Sequence, residues 1–456
     1  MKENKQVPAL ALVIILTVNL IFGFRAYSED VNKKEDKVES VRVLVDAVSI
    51  LRKNYVDADK VNYQRLVYAA LEGMVKELDK HSRFHTPVQN EAVKEDNDGK
   101  FAGIGVILNF KDKQMTVKKL IPDGPAEKGG LKAGDIILKV DGYTLKGEGF
   151  TEAKKYIKGH KGTEVILVVQ RGPENSPEEV ELRLIRDIVK VPSITRNRIL
   201  KDSGIGYLHI AQFTRDTAVD FRNALSDLTD KGAKGVVIDL RGNPGGMLNA
   251  AIQMCSYFLN KDDLVLYTKG RDKDHERQYF ALGGIKFTNL PIVILIDGGS
   301  ASASEILSAC LHDYEKAVLV GEKSYGKGSV QTIVDLRDGS ALRFTIAKYY
   351  TKSGTTIHNV GITPDVEVKL SSEEKKEVSL MLNDLYPLDE ELTEYDVKDR
   401  QLQAAISVLD KLLAADNSKE PLKLFTENKA EILQEVNKFI NVSEKVKPKE
   451  DPSSHK

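Results

Sequence analysis

The sequence contains no tryptophan, only two cysteines among 456 residues and no excess of charge of either sign. Its 67 basic and 68 acidic side chains leave a net charge of −1, so no overall field draws the chain toward nucleic acid. The basic residues are spread along the chain, and no nucleic-acid-binding motif accompanies them. These absences argue against a nucleic-acid-binding function. What remains is an ordinary globular composition, with a length that suits two or three domains.

Cys255 and Cys310 both lie in apolar segments with a helical pattern. Neither belongs to a Cys-x-x-Cys pair or to a cysteine and histidine spacing typical of zinc, so the sequence predicts no metal site and no cofactor. We interpret them as two buried thiols, with a disulfide as the alternative in an oxidising compartment.

The N-terminus carries a long apolar run, Val7–Phe24, preceded by two lysines. Its length lies between that of a signal-peptide core and that of a membrane helix. Residues 1–28 are therefore predicted to be a signal peptide or a membrane anchor. The small residues Ala26 and Ser28 favour cleavage, whereas Arg25 favours a retained anchor in the inner membrane. In both cases the positive charge stays inside, and the body is exported to the periplasm or cell envelope.

Two regions place apolar residues at helical spacing, residues 37–98 and residues 371–446. Neither region shows chemically active residues, so we predict that they pack against the rest of the chain or form a homodimer. Residues 447–456 are rich in proline and charge and are predicted to be disordered.

Residues 99–172 change to the patterns of short strands and glycine-rich turns, and they resemble a PDZ domain of exported proteases. The resemblance rests on the loop Gly103-Ile104-Gly105-Val106, on the turn Gly-Leu-Lys-Ala-Gly-Asp at residues 130–135, and on a closing strand at Glu164–Gln170. In that family the loop offers backbone N–H groups to the C-terminal carboxylate of a peptide. Successive N–H groups form an anion site, and the peptide adds beside the loop as a strand.

Residues 173–370 alternate strand and helix patterns, which predicts an α/β core. The strand Gly235–Leu240 runs into the turn Arg241-Gly-Asn-Pro-Gly-Gly246. We interpret Asp239 and Arg241 as a structural ion pair.

The segment Gly298–Glu305 reads Gly-Gly-Ser-Ala-Ser-Ala-Ser-Glu and joins a buried strand to a helix. A serine at such a junction lies beside free backbone N–H groups, which can hold a negative oxygen together with the helix dipole. That is half of an acyl-transfer site. The residues alone do not rank Ser300, Ser302 and Ser304, because serine is also a favoured helix N-cap.

Lys327 lies between Gly326 and Gly328, with Gln331 four residues after it. A lysine can act as a base only when neutral, and its ordinary pKa is about 10.4. Burial can lower that pKa by roughly 3–5 units. The glycines let the backbone bend so that the amine enters a closed site, where Gln331 can fix it by a hydrogen bond.

Two other interpretations of this segment fit less well. Residues 321–327 match G-x-x-x-x-G-K, but Gly328 stands where a phosphate-binding loop needs serine or threonine. Ser324 and Lys327 match Ser-x-x-Lys, but the surrounding glycines indicate a loop, and the partner motif Lys-Thr-Gly is absent.

A Ser-His-Asp triad is a further alternative, with His209, His275, His312 and His358 available. No Gly-x-Ser-x-Gly elbow is present. His312 follows Ser302 on one helix and lies about 15 Å along its axis, too far to contact it.

Residues from about Val41 to Asp365 resemble the carboxyl-terminal processing peptidase family, also called tail-specific proteases. The resemblance rests on Ser-Ala-Ser-Ala-Ser-Glu, on Gly-Lys-Gly-x-Val-Gln and on an Asn-x-Gly-Gly turn. It implies a mixed α/β protease core, a β-spiral like those of crotonases and Clp proteases, with an inserted PDZ domain and helical N- and C-terminal segments.

The family's catalytic residues carry over position by position. The resemblance implies that Ser302 is the nucleophile, Lys327 the general base and Gln331 the residue that orients it. It further implies an oxyanion hole made by the backbone N–H groups of Gly246 and Ala303. The expected activity is that of an exported serine endopeptidase that binds substrate proteins by accessible, apolar C-termini. The alternative is an inactive PDZ adaptor that only holds such tails.

Overall fold

The computed structural model describes residues 39–111, 114–145, 156–173, 175–200, 203–284, 287–382, 398–415 and 419–440. The predicted signal peptide or anchor, residues 1–28, and the predicted disordered tail, residues 447–456, lie outside the described residues. Within those described ranges, no helix is at once long enough and apolar enough to cross a bilayer. The chain divides into two compact units, Met1–Thr86 with Ala341–Phe344, and Pro87–Ser340 with Thr345–Lys456.

The helices and strands of the described residues alternate along the chain. The helices are α1 (residues 39–54), α2 (Tyr63–Lys76), α3 (Pro87–Asp98), α4 (Pro125–Lys128), α5 (Thr217–Asp230), α6 (Leu248–Ser256), α7 (Ala303–Asp313), α8 (Ser372–Leu382), α9 (Arg400–Ala414), α10 (Pro421–Glu427) and α11 (Lys429–Ile440). The strands are β1 (Arg83–His85), β2 (Lys100–Gly103), β3 (Val106–Lys111), β4 (Gln114–Leu120), β5 (Ile136–Val140), β6 (Tyr143–Thr144), β7 (Glu164–Arg171), β8 (Glu178–Ile185), β9 (Asp187–Lys190), β10 (Ile194–Leu200), β11 (Ile205–Ile210), β12 (Gly235–Asp239), β13 (Leu264–Gly270), β14 (Arg277–Phe280), β15 (Ile292–Ile296), β16 (Ala317–Gly321), β17 (Ser329–Asp335), β18 (Ala341–Thr351) and β19 (Val366–Glu367).

The first unit contains α1 and α2, as the helical spacing predicted, and the short strand β1. Asn62 caps α2, because its side chain accepts a hydrogen bond from the Arg65 amide at 2.8 Å. Large apolar side chains stay exposed on both helices, among them Val43 at 65%, Ile50 at 61% and Met74 at 54%.

A sheet in the order β3, β4, β5, β7 and β8 carries the region that resembles a PDZ domain, and β6 pairs with β5. Its core is filled by apolar side chains that are nearly inaccessible to solvent, such as Ile104, Met115, Leu131 and Leu167. Strand β3 is at one edge of the sheet, so one side of it is free of a paired strand within the described residues.

The sheet extends one strand beyond the predicted closing strand Glu164–Gln170. Strand β8 pairs with β7 along its whole length, from Glu164 opposite Ile185 to Arg171 opposite Glu178. The sheet therefore continues past the strand that the sequence analysis took as the last of the domain. Strand β8 reads Glu-Glu-Val-Glu-Leu-Arg-Leu-Ile, with charged residues at four of its eight positions, so its apolar signal is weak.

The α/β core is built on a sheet in the order β10, β11, β12, β15, β16 and β19. Strand β10 is antiparallel to β11, and the remaining neighbours pair in parallel. Strands β12, β15 and β16 are buried on both faces, which explains their continuous apolar sequences. Side chains of α5, α6 and α7 form one apolar cluster with the sheet, and those of α9, α10 and α11 form a second.

The structure confirms the predicted strand and helix on either side of the three serines, since β15 ends at Ile296 and α7 begins at Ala303. The carboxyl ends of the parallel strands meet at one edge of the sheet. Ligand and catalytic sites of open α/β sheets lie at this edge.

Cys255 and Cys310 are both buried and both carry free thiols. A hydrogen bond that the Cys310 thiol donates to the neighbouring Cys255, together with burial, raises the pKa of Cys310 well above its ordinary value. The interpretation of the pair as buried thiols is confirmed.

Asp239 and Arg241 form the predicted ion pair, with 2.6 Å between Arg241 Nη2 and Asp239 Oδ2. A second carboxylate completes it, because Arg241 Nη2 also lies 2.7 Å from Asp399 Oδ2. Arg241 also donates a hydrogen bond to the Gln401 side chain at 3.1 Å, and the Tyr207 hydroxyl donates one to Asp239 at 2.7 Å. Since Asp399 immediately precedes α9, this cluster attaches the C-terminal helices to the end of β12.

We expect Asp399→Ala to destabilise the chain by about 3 kcal/mol, because the buried Arg241 guanidinium loses two hydrogen-bond acceptors and α9 loses the side chain that caps its N-terminus. The matched control is Glu431→Gln, which breaks the exposed Lys411–Glu431 ion pair of the same helical region and should cost less than about 1 kcal/mol. Urea unfolding of the purified full-length chain measures both. Equal midpoint shifts for the two variants would contradict the structural role of the cluster.

Candidate active site

Ser302 lies directly before α7 with backbone angles φ 55° and ψ −112°. Few residues other than glycine adopt a positive φ, and such strain concentrates at functional sites. The strained turn joins the buried strand β15 to the helix, so that Ser302 stands at the helix N-terminus.

The neighbouring serines have structural roles. The Ser300 hydroxyl donates to the Leu240 carbonyl at 2.8 Å, and the Ser304 hydroxyl donates to the Asn243 carbonyl at 3.0 Å. Both side chains are fully buried, whereas Ser302 is partly exposed. Of the three serines that the sequence could not rank, Ser302 is therefore the one that solvent reaches.

Glu305, one turn into α7, joins the segment around Ser302 to the loop that carries Lys327. Its Oε2 oxygen accepts from the Ser302 amide at 2.8 Å and from the Lys327 amide at 2.9 Å. Its Oε1 oxygen accepts from the Ser324 hydroxyl at 2.5 Å and from the Gly326 amide at 2.7 Å. The side chain is 1% exposed, so these bonds replace its hydration.

Tyr349 of β18 makes a second connection between the same two segments. Its hydroxyl donates to the Lys327 carbonyl at 2.6 Å and lies 3.3 Å from the Ser302 carbonyl. Burial is the main cause that raises the pKa of Tyr349 well above its ordinary value, and the negative charge of Glu305 is the second. The phenol therefore stays protonated and remains a hydrogen-bond donor.

The lysine loop runs from the end of β16 to the start of β17, and Lys327 is half-buried in it. Gly328 permits a close approach, since a Cβ there would lie 2.4 Å from the backbone nitrogen of His358. Gln331 lies on β17 and is also half-buried. Because a strand follows this loop, no helix N-terminus is present to hold phosphate, and the phosphate-loop interpretation fails.

Ser324 is not available as a nucleophile paired with Lys327. Its hydroxyl is bound to Glu305 and also accepts from the Ile362 amide at 2.7 Å. The side chain is buried. The Ser-x-x-Lys interpretation therefore also fails.

The turn that ends at Gly246 packs directly against Ser302. A Cβ at Gly245 would lie 2.8 Å from the Ser302 Cβ and 2.8 Å from the Ala303 nitrogen, so the turn excludes any side chain there. A Cβ at Gly246 would lie 2.0 Å from the Phe213 carbonyl oxygen. In the described part of the chain, neither the Gly246 amide nor the Ala303 amide donates a backbone hydrogen bond.

Asn243 holds this turn in place. Its side chain donates to the Ile210 carbonyl at 2.7 Å and accepts from the Gly245 amide at 2.9 Å. Its own carbonyl accepts from the Ala301 amide at 3.0 Å. Sequence reasoning missed the roles of Asn243, Tyr349 and Glu305.

The histidines do not form a triad with Ser302 within the described residues. His209 is buried, and its Nδ1 lies 2.5 Å from the Thr195 hydroxyl. Burial lowers the pKa of His209 to about 4. His312, at the far end of α7, lies 3.0 Å from Asp365, whose hydrogen bond raises the pKa of the imidazole.

The predicted carboxylate-binding loop connects β2 and β3. The Ile104 and Gly105 carbonyls accept from the Ala126 amide at 2.7 Å and the Ile121 amide at 2.9 Å, so both point into the domain. Among the described residues, no backbone acceptor receives the amides of Ile104 or Gly105. Gly105 has φ 77°, which glycine adopts without strain.

No group of three or more histidine, cysteine, aspartate or glutamate side chains is placed to hold a metal ion in the part of the chain that the structure describes. The site is built from a hydroxyl, an amine, a carboxylate and backbone amides. That set suits acyl transfer.

Comparison with known proteins agrees with this chemistry. The profile of "Peptidase family S41" matches residues 204–368, and that of "PDZ domain" matches residues 116–171. The "Carboxy-terminal-processing protease" of Bartonella bacilliformis is 37% identical over 367 residues, which cover 79% of this chain and 82% of that protein. A "Probable CtpA-like serine protease" of Staphylococcus aureus is 32% identical over 463 residues, which cover 96% of this chain and 90% of that protein.

Solved structures give matches as well. The "Photosystem II D1 C-terminal processing protease" is 26% identical, with a TM-score of 0.41 and coverage of 76% of this chain and 97% of that one. Because the sequence matches to the curated relatives span most of both proteins, the chain belongs to peptidase family S41, among the carboxy-terminal processing serine proteases that carry a PDZ domain.

Proposed function

We propose that this chain is an exported serine endopeptidase in which Ser302 and Lys327 form a catalytic dyad. The observation that carries the proposal is the shared carboxyl oxygen of Glu305, which accepts from the Ser302 amide at 2.8 Å and from the Lys327 amide at 2.9 Å. Two residues bound to one oxygen keep a fixed separation, so the lysine stem starts beside the serine.

The proposed reaction begins with a neutral Lys327 amine. The amine takes the Ser302 hydroxyl proton while the serine oxygen bonds to the carbonyl carbon of the scissile peptide. The carbonyl oxygen becomes negative and is held by the amides of Gly246 and Ala303, each contributing roughly 3 kcal/mol.

The tetrahedral intermediate then breaks its C–N bond, and the lysine ammonium returns its proton to the leaving amine. A water molecule attacks the resulting serine ester by the same proton transfers and releases the acid. In this scheme Gln331 fixes the orientation of the lysine amine, and the half-burial of Lys327 favours its neutral form.

Substrate recognition is proposed to begin at Gly103–Val106. The Ile104 and Gly105 amides of this loop supply donors for a C-terminal carboxylate, and the edge of β3 offers backbone groups to an added strand. Apolar C-terminal residues are the expected ligands.

Export and assembly complete the proposal. The apolar run Val7–Phe24 supports export to the periplasm or cell envelope, with membrane attachment if it is retained. Exposed apolar side chains on α1 and α2, such as Val43 and Met74, support a homodimer.

We expect Ser302→Ala and Lys327→Arg each to lower cleavage of an unfolded protein by at least about 10³-fold, by comparison with losses measured in other serine proteases. Arginine keeps the charge and bulk but stays protonated, so it cannot act as the base. Degradation assays on purified variants measure the loss.

The matched control is Lys323→Arg, the same exchange four residues earlier in the same loop, which should retain activity. Activity in Lys327→Arg close to that of Lys323→Arg would refute the dyad. Tail-peptide binding must persist in Ser302→Ala, which separates lost chemistry from lost folding.

Glu305→Gln should lower kcat by about 100-fold with little change in KM, since a shift of about 1 Å in a catalytic group has that effect. The glutamine amide has an NH2 group in place of one acceptor oxygen. If that group takes the place of Oε2 it faces the N–H groups of Ser302 and Lys327, and if it takes the place of Oε1 it faces the N–H group of Gly326. Glu315→Gln, just beyond the end of α7, is the control. A loss confined to KM would argue against a positioning role.

An N-acetylated decapeptide with an apolar C-terminal residue should bind Ser302→Ala, and amidation of its C-terminus should weaken Kd by about 10–100-fold. This range corresponds to hydrogen bonds to a charged group worth about 1.5–3 kcal/mol.

Gly105→Val should weaken the Kd of the unmodified peptide by a similar factor. The control Gly142→Val has a similar positive φ, 81° against 77°, but a Cβ there meets no atom within 4 Å. Equal affinities in the two variants would contradict the assignment of the loop.

A further inference from the structure

A cavity of about 620 Å³ lies at the carboxyl ends of the parallel strands, apart from the candidate dyad. Its walls come from the ends of β11, β12, β15, β16 and β19 and from α8. The volume lies in the range of pockets that hold small molecules, roughly 300–1,000 Å³. Nothing in the proposed reaction uses it.

One basic side chain in the wall lacks an acidic partner among the described residues. Glu322 pairs with Lys375 at 2.8 Å, and Glu367 pairs with Lys369 at 3.3 Å, so these charges are matched. Lys323 is exposed and forms no ion pair with any described residue. It supplies a site for an anionic group.

One acidic side chain in the wall, Asp297, accepts hydrogen bonds from described residues through only one of its two carboxylate oxygens. Asp297 Oδ1 accepts from the amides of Gly242 and Gly299, each at 2.9 Å, and of Ser300 at 3.1 Å. Asp297 Oδ2 makes no hydrogen bond to any described residue. This oxygen supplies a site for a cationic group. Asp297 follows β15 and Lys323 follows β16, and these two strands pair in parallel, so the two charged groups follow neighbouring strands of the sheet.

Part of the remaining wall is apolar. Leu370, Val378 and Leu382 line it from the segment after β19 and from α8, and Ala211 lines it from the end of β11. His209 contributes an uncharged imidazole near neutral pH, because burial lowers its pKa to about 4. Beside its matched ion pairs, the cavity therefore offers one ammonium without an acidic partner among the described residues, one carboxylate oxygen without a hydrogen bond to them, and apolar surface.

We propose that this cavity binds short peptides with free termini and apolar side chains, the chemical class of the tail fragments that the reaction releases. This inference rests on the proposed function for the source of the peptide. The ammonium binds Asp297 Oδ2, the carboxylate binds Lys323 Nζ, and apolar side chains contact Val378 and Leu382.

Asp297 connects the cavity to the candidate active site. The same carboxyl group holds Gly242, at the start of the turn that leads to Gly246, and Ser300, two residues before Ser302. A retained fragment therefore contacts the segments that position the oxyanion amides and the serine.

The experiment titrates the tripeptide Ala-Leu-Ala into the full-length Ser302→Ala chain by calorimetry. Acetylation of the tripeptide N-terminus removes the ammonium but leaves the C-terminal carboxylate that the Gly103–Val106 loop recognises. We expect the free tripeptide to bind one equivalent more per chain than the acetylated form.

Charge and packing variants locate that extra equivalent. Lys323→Glu and Val378→Arg should each weaken it at least 10-fold, whereas Lys376→Glu and Leu380→Arg, on α8 but outside the cavity wall, should not. Equal binding of free and acetylated tripeptide, or equal effects of Lys323→Glu and Lys376→Glu, would overturn the inference.

The two proposals fail separately in this design. Binding is measured without proteolysis, so absence of the extra equivalent in a chain that cleaves protein overturns the cavity site alone. Conversely, an unmodified chain that cleaves no protein overturns the proposed function, and with it the reaction as the source of the peptide.

Discussion

The carboxylate of Glu305 is the constraint on which the candidate site depends. It is removed from solvent and accepts hydrogen bonds from both sides of the site, from Ser302 and from Ser324, Gly326 and Lys327. A buried carboxylate without such donors would be costly, so the two segments and the side chain stabilise one another. The Tyr349 hydroxyl repeats the connection between the carbonyls of Ser302 and Lys327.

The parallel sheet supplies the geometry on which that connection is built. Strands β12 and β15 end side by side, so the turn after β12 and the turn after β15 meet. The Asp297 carboxylate accepts from the Gly242 amide, and the Asn243 backbone carbonyl accepts from the Ala301 amide, so the two turns are bonded to each other. Behind them, the buried cluster of Asp239, Arg241 and Asp399 joins the same strand end to the C-terminal helices. The site is thus held from both faces of the sheet.

Local patterns predicted the parts of this arrangement that depend on neighbouring residues. The apolar run of β15 followed by a helical pattern placed Ser302 at a helix start, and Asp239 with Arg241 was interpretable as an ion pair. The role of Glu305 was missed because it arises from donors about 20 residues away, which a helix pattern does not reveal. Tyr349 reads as an ordinary strand aromatic, and Asp399 lies 158 residues from Arg241. Strand β8 was missed because half of its side chains are charged. The choice among Ser300, Ser302 and Ser304 came from the family resemblance, and burial now distinguishes them.

The central claim is that the connection through Glu305 makes Ser302 nucleophilic by keeping Lys327 beside it. The most direct measurement is covalent labelling with a serine-reactive peptidyl phosphonate. Tandem mass spectrometry locates the label, and the labelling rate is measured as a function of pH. The account predicts a single label on Ser302, a rate that rises with pH as one group loses a proton, and no such rise in Lys327→Met. A label on Ser300, Ser304 or Ser324, or an unchanged pH profile in Lys327→Met, would contradict it.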